Sequence, residues 1–305
     1  MVERASTLRA WLRAARPLAQ ANIAVPLVFG QALAVAHGAR FDPWICVLVH
    51  VFGVLDQLVI VFANDVADEA GDRLHRAPTP FSGGSRVLVD GLLDAPRLRA
   101  AAIAAAIALV GHAGLLASVW HRPLALVAAG AALLLLLAYS YGPLRLSYRG
   151  GGELAQGLGL GAVLPAFAYA MQAGSLDGLS PLMLLPTILL GIAGNIVTAL
   201  PDEPADRLAD KRSWPVRVGV RVARKHALLV TALAILCTPL VLGDDATPER
   251  LFATEAPALA LLAVAALTWR SALIERRREC IAFVVAAAGA GSLAMLAWSV
   301  SLLWR

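Results

Sequence analysis

The sequence has few charged residues and few cysteines. Charged residues make up only 15% of the 305 residues, whereas hydrophobic residues make up 59% and mean hydropathy is +0.71. This composition excludes an ordinary soluble domain and predicts a protein that lies in a bilayer. Cys46, Cys237 and Cys280 fall in separate apolar stretches without CxxC spacing, so they are interpreted as small core residues.

Nine long apolar stretches account for this composition. Each has roughly the 16 to 25 residues with which a helix crosses about 30 Å of hydrocarbon. Because backbone polar groups in lipid must bond within their own segment, each stretch is predicted to be a helix. The stretches are Leu18–His37, Trp44–Ala63, Leu98–Val119, Leu124–Tyr141, Leu154–Ala173, Pro181–Leu200, Ala227–Leu242, Phe252–Trp269 and Cys280–Leu303. The sequence therefore predicts one all-α membrane domain, residues 1–305, with nine transmembrane helices.

The positive charges predict the orientation of these helices. Of the 26 Lys and Arg residues, 22 fall on one side of a nine-helix topology, and only Arg40, Arg122, Arg250 and Arg305 fall on the other. Since short positive loops stay in the cytoplasm, the pattern predicts a multi-pass cell-membrane protein with its N-terminus inside and its C-terminus outside. The net charge of +5 is then explained by arginines on the inner face, and nucleic-acid binding is disfavoured.

Residues 1–17 combine four arginines with Leu8, Trp11 and Leu12. This mixture predicts an amphipathic helix that lies in the membrane interface before the first span. A cleaved signal peptide is disfavoured, because the first apolar run is long and no small-residue cleavage site ends it.

Acidic residues cluster where the second apolar stretch ends. Asn64, Asp65, Asp68 and Asp72 are spaced three and four apart, so a helix that continues through them would place their oxygens on one face. Carboxylates gathered in this way repel one another unless a cation lies between them. Asp56 is a further acid at membrane depth, which favours a function, although pairing with a neighbouring helix fits the sequence equally well.

The loop after Asp72 is basic and is interrupted by proline and glycine. Arg73, Arg76 and Arg86 follow the acidic residues, and the planar fork of arginine suits phosphate oxygens. Segment 64–97 is therefore predicted to be a cap that holds cations in one part and anionic oxygens in another. The alternative for any single arginine is a topology signal on an inner loop.

A second acidic cluster follows the sixth apolar stretch. Asp202, Asp206 and Asp210 are four apart, and Lys211 and Arg212 come next, which repeats the acidic-then-basic order of the first cluster. Segment 201–226 is thus a second predicted cap. The repetition favours two bundle halves that face each other across a central cavity.

Tyrosines mark the inner end of the fourth stretch. Tyr139 and Tyr141 lie there, and Arg145 follows them. Tyrosine is common at a membrane interface as an anchor; alternatively, the two rings line the cavity and stabilise a cation through their faces. Glu153 opens the fifth stretch after three glycines, and the sequence assigns it no role.

Acidic clusters paired with bases predict chemistry on a diphosphate. Mg²⁺ prefers oxygen ligands and is commonly shared between carboxylates and substrate phosphates. Magnesium with nearby Arg and Lys would neutralise a diphosphate leaving group, so that an allylic C–O bond ionises. Aromatic faces in a dry bundle would then shield the carbocation.

The two clusters resemble the signatures of a known family. NDxxDxxxD at Asn64 to Asp72 and DxxxD at Asp202 to Asp206 look like the paired motifs of the UbiA superfamily of membrane prenyltransferases. SRVLVDG at Ser85 to Gly91 is similar to that family's Arg-Pro-Leu-x-x-Gly loop, with Val87 in place of the proline. KRSWPVRVG, from Lys211, is similar to its Lys-Arg-Thr-Leu-x-Val-Arg-x-Gly segment.

Within this family, the sequence most resembles one subfamily. YSYGPLRLSYRGGGEL, which starts at Tyr139, is similar to the corresponding region of 1,4-dihydroxy-2-naphthoate polyprenyltransferases. Thr198 and Ala199 stand where that subfamily usually has two asparagines. The resemblance implies an all-helical fold with two inner loops over a central cavity, and Mg²⁺-dependent ionisation of a polyprenyl diphosphate. It also implies capture of the cation by a small aromatic acceptor, a quinone precursor of naphthoate type.

The resemblance also implies roles by position. The metal ligands would be Asn64, Asp65, Asp68, Asp72, Asp202 and Asp206. The diphosphate would bind Arg76, Arg86, Arg145, Lys211 and Arg212. Catalysis would fall to Asp68, Asp202, Arg86, Lys211, Tyr139 and Tyr141.

Other functions are left open by the sequence. A terpene cyclase of the same fold would ionise the same kind of substrate and let the substrate's own double bond capture the cation. A cation-coupled transporter would place acids near the bilayer midplane, where only Asp56 lies. A phosphatidyl-type phosphotransferase is disfavoured because its Asp-Gly and Ala-Arg elements are missing.

Overall fold

The computed structural model describes residues 2–76, 78–79, 81–269 and 277–304, and the regular elements in these ranges are all helical. They are α1 (Val2–Ala15), α2 (Ala21–Ala36), α3 (Pro43–Leu74), α4 (Ala95–Val119), α5 (Leu124–Ser140), α6 (Leu146–Arg149), α7 (Gly152–Leu158), α8 (Leu164–Ala173), α9 (Leu185–Ala199), α10 (Glu203–Leu208), α11 (Trp214–Val218), α12 (Val220–Leu236), α13 (Thr238–Leu242), α14 (Pro248–Thr268) and α15 (Arg277–Leu303). A π-helical turn at Gly159–Val163 joins α7 to α8.

The described helices are long and apolar enough for a membrane. Eight helical segments within the described ranges could cross a bilayer by length and composition, and α5, with 17 residues, is apolar but shorter. The all-helical membrane fold is therefore confirmed, and the count of nine crossings stays a prediction. Of the predicted inner segment from Arg270 to Arg278, residues 270–276 lie outside the described residues, and α15 begins at Arg277.

An inner ring of helices encloses a central cavity. Each element of this ring contacts the next in the order α2, α3, α5, the α7–α8 segment, α9 and α15, and α15 in turn contacts α2. Outside this ring, α4 packs against α3 and α5, α12 packs against α9, and α14 packs against α15. The cavity is lined from the inner ring and from the loops at one end of it.

Helix α3 carries the first acidic cluster in its last turns. Its N-terminus is capped by Asp42, whose Oδ1 accepts hydrogen bonds from the N–H groups of Trp44 (2.8 Å) and Ile45 (3.2 Å). Its 32 residues span about 48 Å, which exceeds the hydrocarbon thickness. Asn64 to Asp72 therefore lie in the last turns of one continuous helix. The segment predicted as a cap, 64–97, thus begins within α3, which continues to Leu74, and it ends within α4, which begins at Ala95.

The second cap also differs from its predicted bounds. Between α9 and α12 lie two short helices, α10 and α11, and α12 already begins at Val220. The seventh predicted stretch, which was placed from Ala227, therefore starts two turns earlier. The cap is correspondingly shorter than 201–226, because the basic residues around Arg221 belong to a helix.

Glycine lets α7 and the π-helical turn that follows it approach α9 closely. A Cβ atom on Gly161 would lie 2.3 Å from the backbone nitrogen of Ile188, and one on Gly157 would lie 2.6 Å from Cγ1 of Ile192. No larger residue fits there without displacing α9. The contact sets the position of the helix that leads into the second acidic cluster.

Helix α1 lies across the end of the ring. Ala10 and Ala14 are buried, and the Trp11 ring meets the Phe62 ring edge-on, with 6.0 Å between centroids. Leu8 and Leu12 remain exposed on the other side, and the interfacial position of this helix stays a prediction. This placement brings the residue that follows α1, Arg16, over α3.

Candidate active site

A cavity of about 910 Å³ lies inside the ring. One end, called the polar end below, is lined by the last turns of α3, by described residues between His75 and Arg86, and by the segment 202–213. Apolar side chains of α2, α5, α8 and α15 line the remainder. One end can thus hold a charged group while the rest accommodates hydrocarbon.

Asp65 is buried at the polar end and is engaged by protein groups. Its carboxylate accepts hydrogen bonds from the Ser85 backbone N–H (3.2 Å) and the Ser85 hydroxyl. The Arg16 guanidinium pairs with the same carboxylate. Asp65 therefore fastens both the N-terminal segment and the loop at Ser85 to α3.

Asp68 is joined to the second acidic cluster by a lysine. Lys211 Nζ donates to Asp68 Oδ2 at 3.2 Å and lies 3.8 Å from Asp206 Oδ1. Burial alone would lower the pKa of Lys211, but the charges of Asp68 and Asp206 raise it well above its usual value. Asp68 Oδ1 is buried and has no hydrogen-bond partner among the described residues.

The second cluster places Asp202 and Asp206 opposite the first. Asp202 Oδ1 accepts a hydrogen bond from the Gly83 N–H (2.9 Å) and lies 3.0 Å from His75 Nε2. This contact with Asp202 raises the pKa of His75. Asp206 Oδ2 accepts a 2.6 Å hydrogen bond from the Ser213 hydroxyl. Burial, helped by the charge of Asp202, raises the pKa of Asp206 to about 6.

The loop at Gly83, Gly84 and Ser85 connects both clusters. Gly83 binds Asp202 and Ser85 binds Asp65, as described above. Gly84 lies between them with φ +65°, and a Cβ atom there would be 2.1 Å from Asp72 Oδ2 and 3.1 Å from Asp65 Oδ1. The left-handed backbone and the lack of space both require glycine at this position.

The tyrosines divide between the cavity and the surrounding structure. Tyr139 lines the cavity, and its hydroxyl lies 3.4 Å from Nδ2 of Asn195, which donates to it. Tyr141 is not in the lining; its hydroxyl donates to the Ala63 carbonyl at 2.9 Å and supports α3. Tyr148, which the sequence did not indicate, lines the cavity. Arg145 stacks on the Tyr148 ring at 3.5 Å from its centroid.

The basic residues predicted to bind a diphosphate do not all face the cavity. Arg86 and Lys211 line it. Arg86 donates to the backbone carbonyls of Asp72 and His75, each at 3.4 Å. The other three, Arg76, Arg145 and Arg212, are exposed and lie outside the lining.

Sequence reasoning missed Arg16, His75, Tyr148, Gln156 and Asn195, which all line the cavity. Arg16 was assigned to the interfacial segment, and nothing local indicates that it reaches Asp65. Asn195 did carry a signal, because it is an amide in an apolar stretch, two turns before Asp202. The Asn195 side chain donates a hydrogen bond to Gln156 Oε1 at 2.8 Å. This bond fixes the orientation of the Asn195 amide beside the Tyr139 hydroxyl.

Glu153 organises the second cap. It is buried, and its Oε1 accepts a 2.8 Å hydrogen bond from the Trp214 N–H. Trp214 is the first residue of α11, whose free N–H groups favour a nearby carboxylate. Glu153 thus ties α7 to the segment that carries Lys211.

Metal-ligand chemistry fits the polar end, although no metal set is assembled. Within the described ranges, no three His, Cys, Asp or Glu side chains are gathered closely enough to hold one ion. The bases explain this, since Lys211 lies between Asp68 and Asp206 while Arg16 and His75 pair with Asp65 and Asp202. Carboxylate oxygens suit Mg²⁺ as ligands. Asp68 Oδ1, which has no hydrogen-bond partner among the described residues, is an oxygen of this kind.

These features define an integral membrane protein with an acid-and-base site at one end of a largely apolar cavity. The family model described as the UbiA prenyltransferase family matches residues 23–287. The chain belongs to the UbiA prenyltransferase family and is a membrane prenyltransferase, as the motifs at Asn64 and Asp202 predicted.

Individual relatives agree with this assignment. The chain is 26% identical over 288 residues to the 2-carboxy-1,4-naphthoquinone phytyltransferase of Synechocystis sp., covering 88% of this chain and 82% of that protein. Its fold is similar to that of an Archaeoglobus fulgidus UbiA homolog bound to GPP and Mg²⁺, with a TM-score of 0.67, 17% identity, and coverage of 97% and 100% of the two chains. An Aeropyrum pernix K1 homolog in its apo form gives a TM-score of 0.63 at 20% identity, with coverage of 88% and 96%.

Proposed function

We propose that this prenyltransferase moves a polyprenyl group from its diphosphate to an aromatic quinone precursor of naphthoate type. The observation that carries the proposal is the meeting of two acidic clusters around Lys211 at the polar end of an apolar cavity. The Synechocystis relative is named for a carboxynaphthoquinone and a phytyl group, which supports the acceptor class. Solved relatives hold GPP or DMAPP together with Mg²⁺, which supports the donor class.

We assign magnesium binding to Asn64, Asp68 and Asp72 from the first cluster and to Asp202 and Asp206 from the second. Asp65 supports the site from behind, because both of its oxygens are already engaged: the Ser85 N–H and the Arg16 guanidinium bind Oδ1, and the Ser85 hydroxyl binds Oδ2. Bound magnesium would neutralise the diphosphate and so favour its departure.

The bases of the site bind the leaving group. Lys211 exchanges its contacts with Asp68 and Asp206 for diphosphate oxygens, which it can do because its ammonium remains charged. Arg86 presents its fork beside the same loop. Together they stabilise the negative charge that develops as the C–O bond breaks.

The aromatic residues stabilise the allylic cation. Tyr139 and Tyr148 both line the cavity next to the acidic clusters, and their ring faces attract positive charge. The apolar helices below them exclude water, which would otherwise capture the cation. The acceptor ring then attacks the cation and forms the carbon–carbon bond, and the attacked carbon loses the proton, or the carboxyl group as CO₂, that it carried, while the diphosphate leaves from the donor.

The test is an assay of purified protein with Mg²⁺, prenyl diphosphates from geranyl upward, and a panel of hydroxynaphthoates and hydroxybenzoates. Diphosphate release together with a prenylated arene is the expected result. Release without any arene product, accompanied by a cyclised hydrocarbon, would show a terpene cyclase instead. No release with any donor would overturn the proposal.

We further propose that the polar end faces the cytoplasm, with the N-terminus inside and the C-terminus outside. The support is the concentration of 22 of the 26 Lys and Arg residues on one side of the predicted topology. A reporter fused after Ser175 should be located outside. A cytoplasmic signal from that position would contradict this orientation.

A further inference from the structure

Asp56 is a buried acid without a partner among the residues that the structure describes. Its side chain lines the cavity, and the residue is only 4% exposed. It lies eight residues before Asn64 on α3, which is about 12 Å deeper along the helix axis. Among the described residues none donates a hydrogen bond to it or pairs with it. The neighbouring-helix partner that the sequence left open as an alternative is therefore not found there.

Apolar side chains lie above and below Asp56, and the nearest amide in the turn below is Gln20, whose Nε2 would be 3.9 Å from a Cβ atom on Gly53. Ile60 lines the cavity one turn above it, and Ile23 of α2 faces the turn below, where its Cγ2 would be 2.9 Å from a Cβ atom on Gly53. Gln57 is the neighbouring polar residue in the lining, is 6% exposed, and likewise has no hydrogen-bond partner in the described chain. A buried carboxyl group without a partner is unfavourable, so a ligand that occupies this part of the cavity has to supply a hydrogen-bond donor.

The substrates differ in what they can supply. A prenyl chain has no donor, and a diphosphate is an anion that belongs with the bases some turns away at the polar end. An aromatic hydroxyl is a donor, and a carboxyl oxygen accepts from it in either ionisation state. We propose that Asp56 binds a hydroxyl group of the aromatic acceptor and so selects hydroxylated arenes; this inference rests on the proposed function.

The proposed contact orients the acceptor. Its reacting carbon has to meet the prenyl group beside the diphosphate, near the level of Asn64 and Asp68. Of the hydroxyls on the reacting ring, the one farther from the reacting carbon points down the cavity toward Asp56. Holding that hydroxyl would present one ring carbon to the cation, which is how binding geometry lowers a barrier. Asp56 is thus assigned to acceptor specificity, and the diphosphate is left to the polar end.

The experiment compares the wild-type enzyme with Asp56→Leu in detergent. We expect the KM for the hydroxylated acceptor to rise about 10- to 100-fold, as expected for loss of one hydrogen bond to a carboxyl group. The KM for the prenyl diphosphate should stay within about twofold, because that substrate binds elsewhere. Ser299→Ala is the matched control, since Ser299 is a buried polar residue of α15 outside the lining, and it should leave both constants unchanged.

A second variant covers the case in which Asp56→Leu does not fold. Asp56→Asn keeps the shape but adds donors, so the affinity ratio of a hydroquinone inhibitor to its quinone form should fall relative to wild type. An unchanged ratio, or an unchanged acceptor KM in Asp56→Leu, would overturn the assignment of Asp56. Failure of the wild-type enzyme to prenylate any hydroxyarene would instead overturn the proposed function, so the two failures are distinguishable.

Discussion

Lys211 Nζ lies 3.2 Å from Asp68 Oδ2 although the two residues are 143 positions apart in the chain. The contact joins a base of the second cap to an acid of the first. With Asp206 at 3.8 Å on its other side, the ammonium lies between carboxylates that would otherwise repel each other. The two halves of the site are thus already held together by this chain's own charges.

Removing one carboxylate should stop catalysis without unfolding the protein. Asp68→Asn and Asp202→Asn should each lower kcat/KM by at least about 100-fold, because each removes an oxygen ligand and a charge from the polar end. Rates of diphosphate release and thermal melting in detergent measure the two properties separately. Glu69→Gln is the matched control, since Glu69 is adjacent on α3 but pairs with Arg73 outside the lining. Equal loss in Glu69→Gln would contradict the assignment.

Lys211 should act on the diphosphate. Lys211→Gln should raise the KM for the prenyl diphosphate and lower kcat, with a combined loss of about 100-fold or more, because a buried cation next to the leaving group is lost. The KM for the acceptor should change little. Lys225, an exposed lysine of α12, provides the control as Lys225→Gln. A wild-type rate in Lys211→Gln would show that the lysine only neutralises the resting site.

Gly84 offers a test of the loop geometry. Gly84→Ala places a methyl group where Asp72 Oδ2 would be 2.1 Å away, so Asp72 has to move. We expect at least about a 100-fold loss of activity, since a small displacement at a reacting centre has this effect.

Gly91→Ala separates that clash from backbone strain. Gly91 has nearly the same φ, +67°, but no heavy atom would lie within 4 Å of a Cβ atom added there. The substitution should therefore cost about 1 kcal/mol of stability and leave the turnover unchanged. If both variants lose activity equally, strain rather than the position of Asp72 is responsible.

The pKa of Asp206 predicts how metal binding depends on pH. Burial raises it from 3.8 to about 6, so without metal the folded protein binds more protons than the unfolded chain between these values. The stability of the metal-free protein should therefore fall as pH rises from about 4 to about 6. Mg²⁺ competes with the proton, so its stabilising effect should be largest above pH 6 and decline below it.

Thermal melting with and without MgCl₂ between pH 5 and 8 measures this dependence. Asp206→Asn should flatten the part of the profile near pH 6, because its side chain does not titrate. An unchanged profile in Asp206→Asn would show that Asp206 is not the group responsible.

Much of the fold was predictable because it follows from local properties. Runs of apolar residues specify membrane helices wherever they occur, and the three-and-four spacing of Asn64, Asp65, Asp68 and Asp72 puts them on one face of any helix. The bounds were less predictable. Nothing in hydropathy shows that α3 continues to Leu74, because a helix that leaves the bilayer no longer needs apolar residues.

The partners within the site could not be predicted in the same way. Tyr139 and Tyr141 look equivalent in the sequence. Of the two, however, only Tyr139 lines the cavity, while the Tyr141 hydroxyl donates a hydrogen bond to the Ala63 carbonyl. The sequence predicts that Arg16 is one arginine of an interfacial segment. In the structure, the packing of α1 on Phe62 brings Arg16 to Asp65. These outcomes depend on how distant segments approach, and side-chain periodicity carries no information about that.

The sequence by itself determined that this is a helical membrane protein with two acid-and-base segments of prenyltransferase type, because hydropathy, charge and motif spacing act over a few turns of chain. Only the tertiary structure decided which residues meet. It placed Lys211 between Asp68 and Asp206 and left Asp56 in the cavity without a partner among the described residues. The reason is physical: a short-range contact between residues far apart in the chain exists only once the ring of helices has closed.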